Sequence, residues 1–222
     1  MDKIKLNLGC GSVRPVGWIN TDSSLNANIQ KIPLAGKKIA KIFNPIEYQD
    51  TNVVYMNLNK RWKYANDSID IVYASHLFEH LTIKSSNLFL SEAYRTLKPG
   101  GIIRIVVPDM YQICKKYIQE YESADGTTDT TKFIIWAINM HREGQYGEIG
   151  FFKKLVLEWQ GYPHQHKYMY DRYSLALKLK EFKFVEAVNL TYGRSNSIRE
   201  IEEVEGTKES YLSVYLEAKK PA

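Results

Sequence analysis

Short apolar stretches punctuate the first half of the chain, with helical spacing between the later ones. Ile4-Lys5-Leu6-Asn7-Leu8 alternates and then stops at Gly9 and Gly11. That pattern predicts a short strand running into a tight loop. Trp18 to Asp22, Val53 to Met56 and Ile69 to Ala74 are further extended stretches. Ile102 to Val107 is β-branched and almost wholly apolar, the mark of a strand buried on both faces. Between the last two, "SSNLFLSEAYRTLKPGG" spaces Leu88, Leu90, Ala93, Tyr94 and Leu97 as a helix does, opening on serine and stopping at Lys-Pro-Gly-Gly. Strand, helix and buried strand in succession predict βαβ units and a parallel sheet.

Beyond Met110 the period changes. Met110 to about Ala124, and Thr131 to Trp159, carry aromatic-rich helical spacing, joined by the polar link Ser123 to Thr131. Arg172 to Phe182 reads as one more helix. "KFVEAVNLTY" and "YLSVYLEAKK" close the chain as a pair of strands around the loop "GRSNSIREIEEVEGTKES". Within that loop, "REIEEVEG" reads as a solvated face. No internal repeat and no low-complexity tract interrupts the series.

A length of 222 residues suits one domain, 1–222, with 110–171 as an elaborated helical lobe. The formal net charge of +5 is spread along the chain with no basic run, so nucleic acid is not an expected partner. Two cysteines, Cys10 and Cys114, exclude a secreted disulfide scaffold. No apolar run approaches the ~20 residues that span a bilayer, and the first one is too brief for a signal peptide. The expectation is a soluble, cytoplasmic protein; its oligomeric state is not legible.

Three places carry candidate chemistry. "YASHLFEHL", Tyr73 to Leu81, contains His76-Leu-Phe-Glu79-His80, an H-x-x-E-H arrangement. On a helix, residues four apart share a face, so His76 and His80 could reach one metal with Glu79 beside them as a base. A zinc peptidase needs that motif inside one helix. Here His76 follows a strand by two residues, so only the later part need be helical. Next, Gly9-Cys10-Gly11 follows a strand, where glycine lets a ligand approach the backbone. The dinucleotide fingerprint requires another glycine where Arg14 stands, which disfavours a nicotinamide cofactor. Finally, Asp22 ends the second strand, where a carboxylate can accept hydrogen bonds from both hydroxyls of a ribose.

"LNLGCGS…GWINTD…DSIDIVYASHLFEHL…EAYRTLKPGGIIRIVVPD" resembles class I S-adenosylmethionine-dependent methyltransferases. It is most similar to the type 11-like bacterial group found among sugar and surface-polysaccharide genes. The resemblance spans Ile4 to Asp109 and resumes at "HKYMYDRYSLALKLKEFKFVEAV". It implies a doubly wound, mostly parallel seven-stranded α/β sheet of Rossmann-like type, its last strand antiparallel, with 110–171 as a helical lid or acceptor lobe before the last strands. It implies S-adenosyl-L-methionine as cofactor, with Gly9 and Gly11 under the methionine part and Asp22 on the ribose. Asn57 and Leu58 would lie beside the adenine, and Ser75 at the amino acid portion. Asn57 stands where aspartate is frequent; an amide still bonds adenine edges. The link from Gly11 to Asp22 is too short for the usual first helix, and Leu25 to Asp50 is longer than usual.

The implied reaction moves the sulfonium methyl group to an oxygen or nitrogen of a small-molecule or saccharide acceptor, by analogy in polysaccharide biosynthesis. Glu79, His80 and His166 are the catalytic candidates: a histidine takes the acceptor's proton and Glu79 orients His80. No metal ligand is assigned. Three alternatives stay open. One is a zinc-dependent hydrolase using His76, Glu79 and His80. Another is a divalent cation at those residues, should His164 or His166 fold over them. Some methyltransferases of this fold, acting on catechol-like rings or RNA ends, hold a cation with Glu-x-x-Glu-His here, where this chain has His76 first. The third is a non-catalytic binding module of the same fold.

Overall fold

In the computed structural model, which describes residues 3–23, 53–139, 165–205 and 212–222, the apolar stretches pair into one sheet. Its strands are β1 (Lys5–Leu8), β2 (Ile19–Asp22), β3 (Val54–Tyr55), β4 (Ile69–Ser75), β5 (Leu97–Pro108), β6 (Val185–Leu190) and β7 (Ser213–Lys219). Their order is β3-β2-β1-β4-β5-β7-β6. From β3 through β5 neighbours are parallel, and β7 inserts antiparallel to both β5 and β6. The helices are α1 (Ile83–Thr96), α2 (Met110–Glu122), α3 (Thr131–Ala137), α4 (Arg172–Glu181) and α5 (Ile201–Val204). This is the expected Rossmann-like α/β sheet.

Both faces of the central strands are covered, which is why they read as nearly continuous apolar runs. Along β4, Val72 and Ala74 pack with Phe89, Leu90 and Ala93 of α1 and Leu175 and Leu179 of α4. Ile71 and Tyr73 point the other way, toward Trp18, Ile198, Ile201 and Val204. Each such side chain contributes about 1.5–3 kcal/mol when taken out of water.

Several expectations need adjustment. α1 starts two residues before the serine pair, because the Thr82 hydroxyl caps it by accepting from the Ser85 amide (3.2 Å). Leu97, counted with the helix, opens β5 instead. The "REIEEVEG" segment is solvated on one face only: Arg199, Glu200, Glu202 and Glu203 are exposed, whereas Ile201, Val204 and Glu205 are buried. The cause is Arg104, which points inward from β5 and needs Glu205 beside it. No helix forms between β1 and β2. Asn7 and Asn20 bond each other there (3.0 Å), and Asn7 Nδ2 also donates to the Val13 carbonyl (2.9 Å), stapling the turn to the strands. The long connection from Leu25 to Asp50, His164, and most of the helix expected from Thr131 to Trp159 lie outside the described residues.

The chain runs outward from β1 through β2 to β3, then returns to the other side of β1 for β4 and β5. Strand order therefore reverses between β1 and β4. In open α/β sheets the crevice outside the carboxyl ends of such a strand pair is where ligands bind.

Candidate active site

At that crevice β1 runs into Gly9 and Gly11, with φ of +65° and +49°. A Cβ on Gly9 would also lie 3.0 Å from Leu77 Cδ1, so the position suits glycine on both counts. The Cys10 amide donates to the Thr21 carbonyl (2.9 Å), tying the loop to β2 just before Asp22. A cavity of ≈ 460 Å³ opens here, lined by Gly9, Cys10, Gly11, Ser75, His76 and Val204 among others. Gly9, Gly11 and Ser75 thus share one hollow. Asp22 is half-buried at the end of β2, and Asn57 lies two residues past β3, where its Oδ1 accepts from the Asn59 amide (2.9 Å). Leu58 is buried in the main core. Burial, with the Asp22 carboxylate adding to it, pushes the Cys10 thiol up to about 11. It stays protonated at neutral pH and is no nucleophile.

A second constellation follows β4. Residues Phe78–His80 form a single 3-10 turn anchored by Phe78, which is fully buried against the rings of Phe89 (5.4 Å) and Tyr170 (5.3 Å). The Glu79 carbonyl accepts from the amides of Lys167 (2.7 Å) and Tyr168 (3.2 Å). That strap lays the 165–168 segment across the turn and brings His166 edge-on to His80, ring centres 4.9 Å apart. Glu79, His80 and His166 each offer a ligand atom within 4.8 Å of the others. The three catalytic candidates are therefore brought together.

The electrostatics of this cluster are unusual. Glu79 is 0 % exposed, and among the described residues neither carboxylate oxygen has a hydrogen-bond partner. His76 Nδ1 stands 3.3 Å and His80 Nε2 3.9 Å from Oε1. His80 Nδ1 lies 3.1 Å from the Gln165 carbonyl, which can only accept, so that nitrogen is the donor of the pair. Burial outweighs the pull of Glu79 and lowers the His166 pKa to about 4, so its ring is neutral at pH 7.

His76, named only as a metal ligand in the alternatives, takes a different place here. It is left-handed at φ +48°, rare for a side chain of its size, and its amide donates to the Val106 carbonyl (2.9 Å). Its ring lines the glycine-loop cavity and also a second one of ≈ 180 Å³, shared with Pro108, Ile113, Trp136, His166 and Ser213. His76 is the junction of the two hollows. The signal available in the sequence was its place directly after the strand-end Ser75; its backbone angle was not legible there.

Residues 6–105 match the family model of a methyltransferase domain. Those residues form a methyltransferase domain. Its fold is similar to that of an S-adenosylmethionine-dependent methyltransferase, a possible histamine N-methyltransferase, from Thermotoga maritima. That likeness has a TM-score of 0.50 at 16% identity, covering 99% of this chain and 83% of that one. The S-adenosylmethionine-dependent methyltransferase SibL is also similar, with a TM-score of 0.50 at 11% identity over 99% of this chain and 51% of that one. The methyltransferase thus spans about half the length of SibL. At such identities these two likenesses speak for the fold. No curated protein matches the sequence. The zinc-hydrolase alternative falls here, because His76 lies outside the short turn that carries Glu79 and His80 and no peptidase-type helix holds the motif. Among the described residues of the methyltransferase, no helix is long and apolar enough to cross a membrane.

Proposed function

We propose that this methyltransferase transfers the sulfonium methyl group to an oxygen or nitrogen of a small-molecule or saccharide acceptor. The observation that carries the reading is His76, which joins the glycine-loop cavity to the cavity beside Glu79, His80 and His166. A donor in the first hollow and an acceptor in the second would meet at that residue.

In this reading Gly9 and Gly11 let the methionine part of the donor lie against backbone, in a hollow where Gly9 has little room for a side chain. Asp22 takes the ribose hydroxyls, the Asn57 amide an adenine edge with Leu58 as its apolar neighbour, and Ser75 the amino acid portion. When bound, the donor supplies a methyl group already activated for displacement. The chain's task is then to align the partners and exclude water. At the acceptor end, His80 and His166 take the proton the acceptor sheds, and Glu79 orients His80. The 110–171 segment serves as the acceptor lobe of a single 1–222 domain. Its Ile113 and Trp136 give the second cavity an apolar side suited to a sugar face or a flat ring. The resemblance to polysaccharide-associated enzymes favours a saccharide acceptor and a cytoplasmic setting.

S-adenosylhomocysteine is expected to raise the thermal midpoint, by about 2.7 kcal/mol of added stability at one hundred times its dissociation constant. A midpoint unmoved at millimolar ligand would overturn the donor half of the reading. His80→Ala and His166→Ala are each expected to slow methylation by about 100-fold while leaving that midpoint shift intact. Rates within a few-fold of the parent in both variants would remove the two histidines from the reaction.

A further inference from the structure

We propose that Glu79, His80 and His166 hold one divalent transition-metal ion of the zinc kind at the wall of the acceptor cavity. The role of the ion rests on the acceptor-end reading above; its binding does not. A carboxylate with no solvent exposure and no hydrogen bond among the described residues is costly to keep charged unless a cation satisfies it. The groups facing Glu79 are histidine ring nitrogens rather than ammonium or guanidinium groups. His80 already shows the pairing found in metal-binding histidines: one ring nitrogen is held by a backbone carbonyl, that of Gln165, and the other is turned to the carboxylate. His166 Nδ1 is likewise buried without a hydrogen-bond partner among the described residues.

Spacing agrees with this. A tetrahedral ion with bonds of about 2.0–2.2 Å holds its donors roughly 3.4 Å apart. The three donors here already lie within 4.8 Å of one another, so small side-chain rotations close the site. The backbone is fixed around it, since the Glu79 carbonyl carries the strap that includes His166. Two imidazoles and one carboxylate favour zinc, cobalt or iron over magnesium, which takes oxygen ligands. Three protein ligands leave a position open toward the ≈ 180 Å³ cavity that His166 also lines. An acceptor oxygen or nitrogen held there would be polarised as it receives the methyl group. The ion lowers the acceptor's pKa so that its proton leaves to water, a role that replaces the proton acceptance given to His80 and His166 above.

The test uses untagged, chelator-treated full-length protein, titrated calorimetrically with zinc chloride and with magnesium chloride. One zinc per chain is expected, with a dissociation constant of about 1 μM or tighter. Magnesium should bind at least about 100-fold more weakly. Glu79→Gln and His166→Ala should each weaken zinc by about 100-fold. No saturable zinc binding up to about 1 mM overturns the proposal. So does zinc held equally by parent and variants, which would mean ligation elsewhere on the chain. Cobalt in the parent protein gives a readout that needs no variant. It should show the visible bands of nitrogen–oxygen ligation and no thiolate charge-transfer band, and the reverse result overturns the site. The S-adenosylhomocysteine midpoint shift, measured on the same samples, keeps the two readings apart. A shift without zinc binding removes only the metal; zinc binding without a shift removes only the donor site.

Discussion

Asp22→Ala is expected to weaken S-adenosylhomocysteine binding about 100-fold while the fold stays in place. Hydrogen bonds to a charged group contribute about 1.5–3 kcal/mol each, and a ribose offers two hydroxyls. Losing about 3 kcal/mol of the possible total is a factor of roughly 100 in affinity. The fold should survive because Asp22 joins β3 through its backbone, its carbonyl accepting from the Met56 amide (3.0 Å), and that bond does not involve the side chain. Asp22→Asn keeps an acceptor oxygen without the charge and should fall between the parent and the alanine variant. Calorimetric titration gives the affinities, and thermal unfolding without ligand checks the fold. An internal control lies next door. The Asp22 carboxylate is one of the causes that hold the Cys10 thiol high, so removing it should lower that thiol's pKa. A changed Cys10 with unchanged ligand affinity would mean that the carboxylate was removed cleanly and that the ribose was never its partner.

How far the sequence revealed the molecule depends on the distance over which each cause acts. β1, its glycine stop and the buried β5 were legible because apolar period and glycine punctuation act within a few residues. The antiparallel last strand came with the family resemblance, which covers topology that periodicity does not. The 201–205 segment was misread in part because its local pattern is glutamate-rich, whereas its burial is dictated by Arg104, a hundred positions earlier. His76 was legible as a metal candidate but not as the junction of two cavities, for a related reason. Its left-handed backbone follows from the bond between its amide and Val106 on the adjacent strand, which no residue pattern encodes. Glu79 and His80 were legible as neighbours. That His166 lies against them depends on a backbone strap to the Glu79 carbonyl, and backbone contacts leave no trace in side-chain identity.

The largest loss of stability is expected at Arg104, where Arg104→Met should cost about 3–5 kcal/mol. For a chain of this size that is a midpoint lower by about 6–20 °C. The Arg104 side chain is 0 % exposed, and its Nε donates to Glu205 Oε1 at 2.6 Å. Glu217 Oε2 lies 3.5 Å from Nη1, and the guanidinium stands 5.5 Å from the Tyr215 ring centre. Two buried carboxylates thus depend on one cation, and methionine would fill its volume while leaving both uncompensated. The effect should reach the donor site. Glu205 also accepts from the Gly193 amide (2.7 Å), so it clamps the 193–205 segment against the sheet, and its neighbour Val204 lines the glycine-loop cavity. The S-adenosylhomocysteine midpoint shift should therefore shrink in Arg104→Met, although Arg104 is not among the residues lining that cavity. A second substitution separates lost packing from stranded charge. If stranded charge is the cause, Arg104→Met with Glu205→Leu should recover at least about 1 kcal/mol over the single variant, because removing a buried pair together costs less than removing one partner. A single variant costing under about 1 kcal/mol would show that water or rearrangement already serves these carboxylates. A double variant no better than the single would assign the loss to packing, and the clamp would then owe nothing to charge.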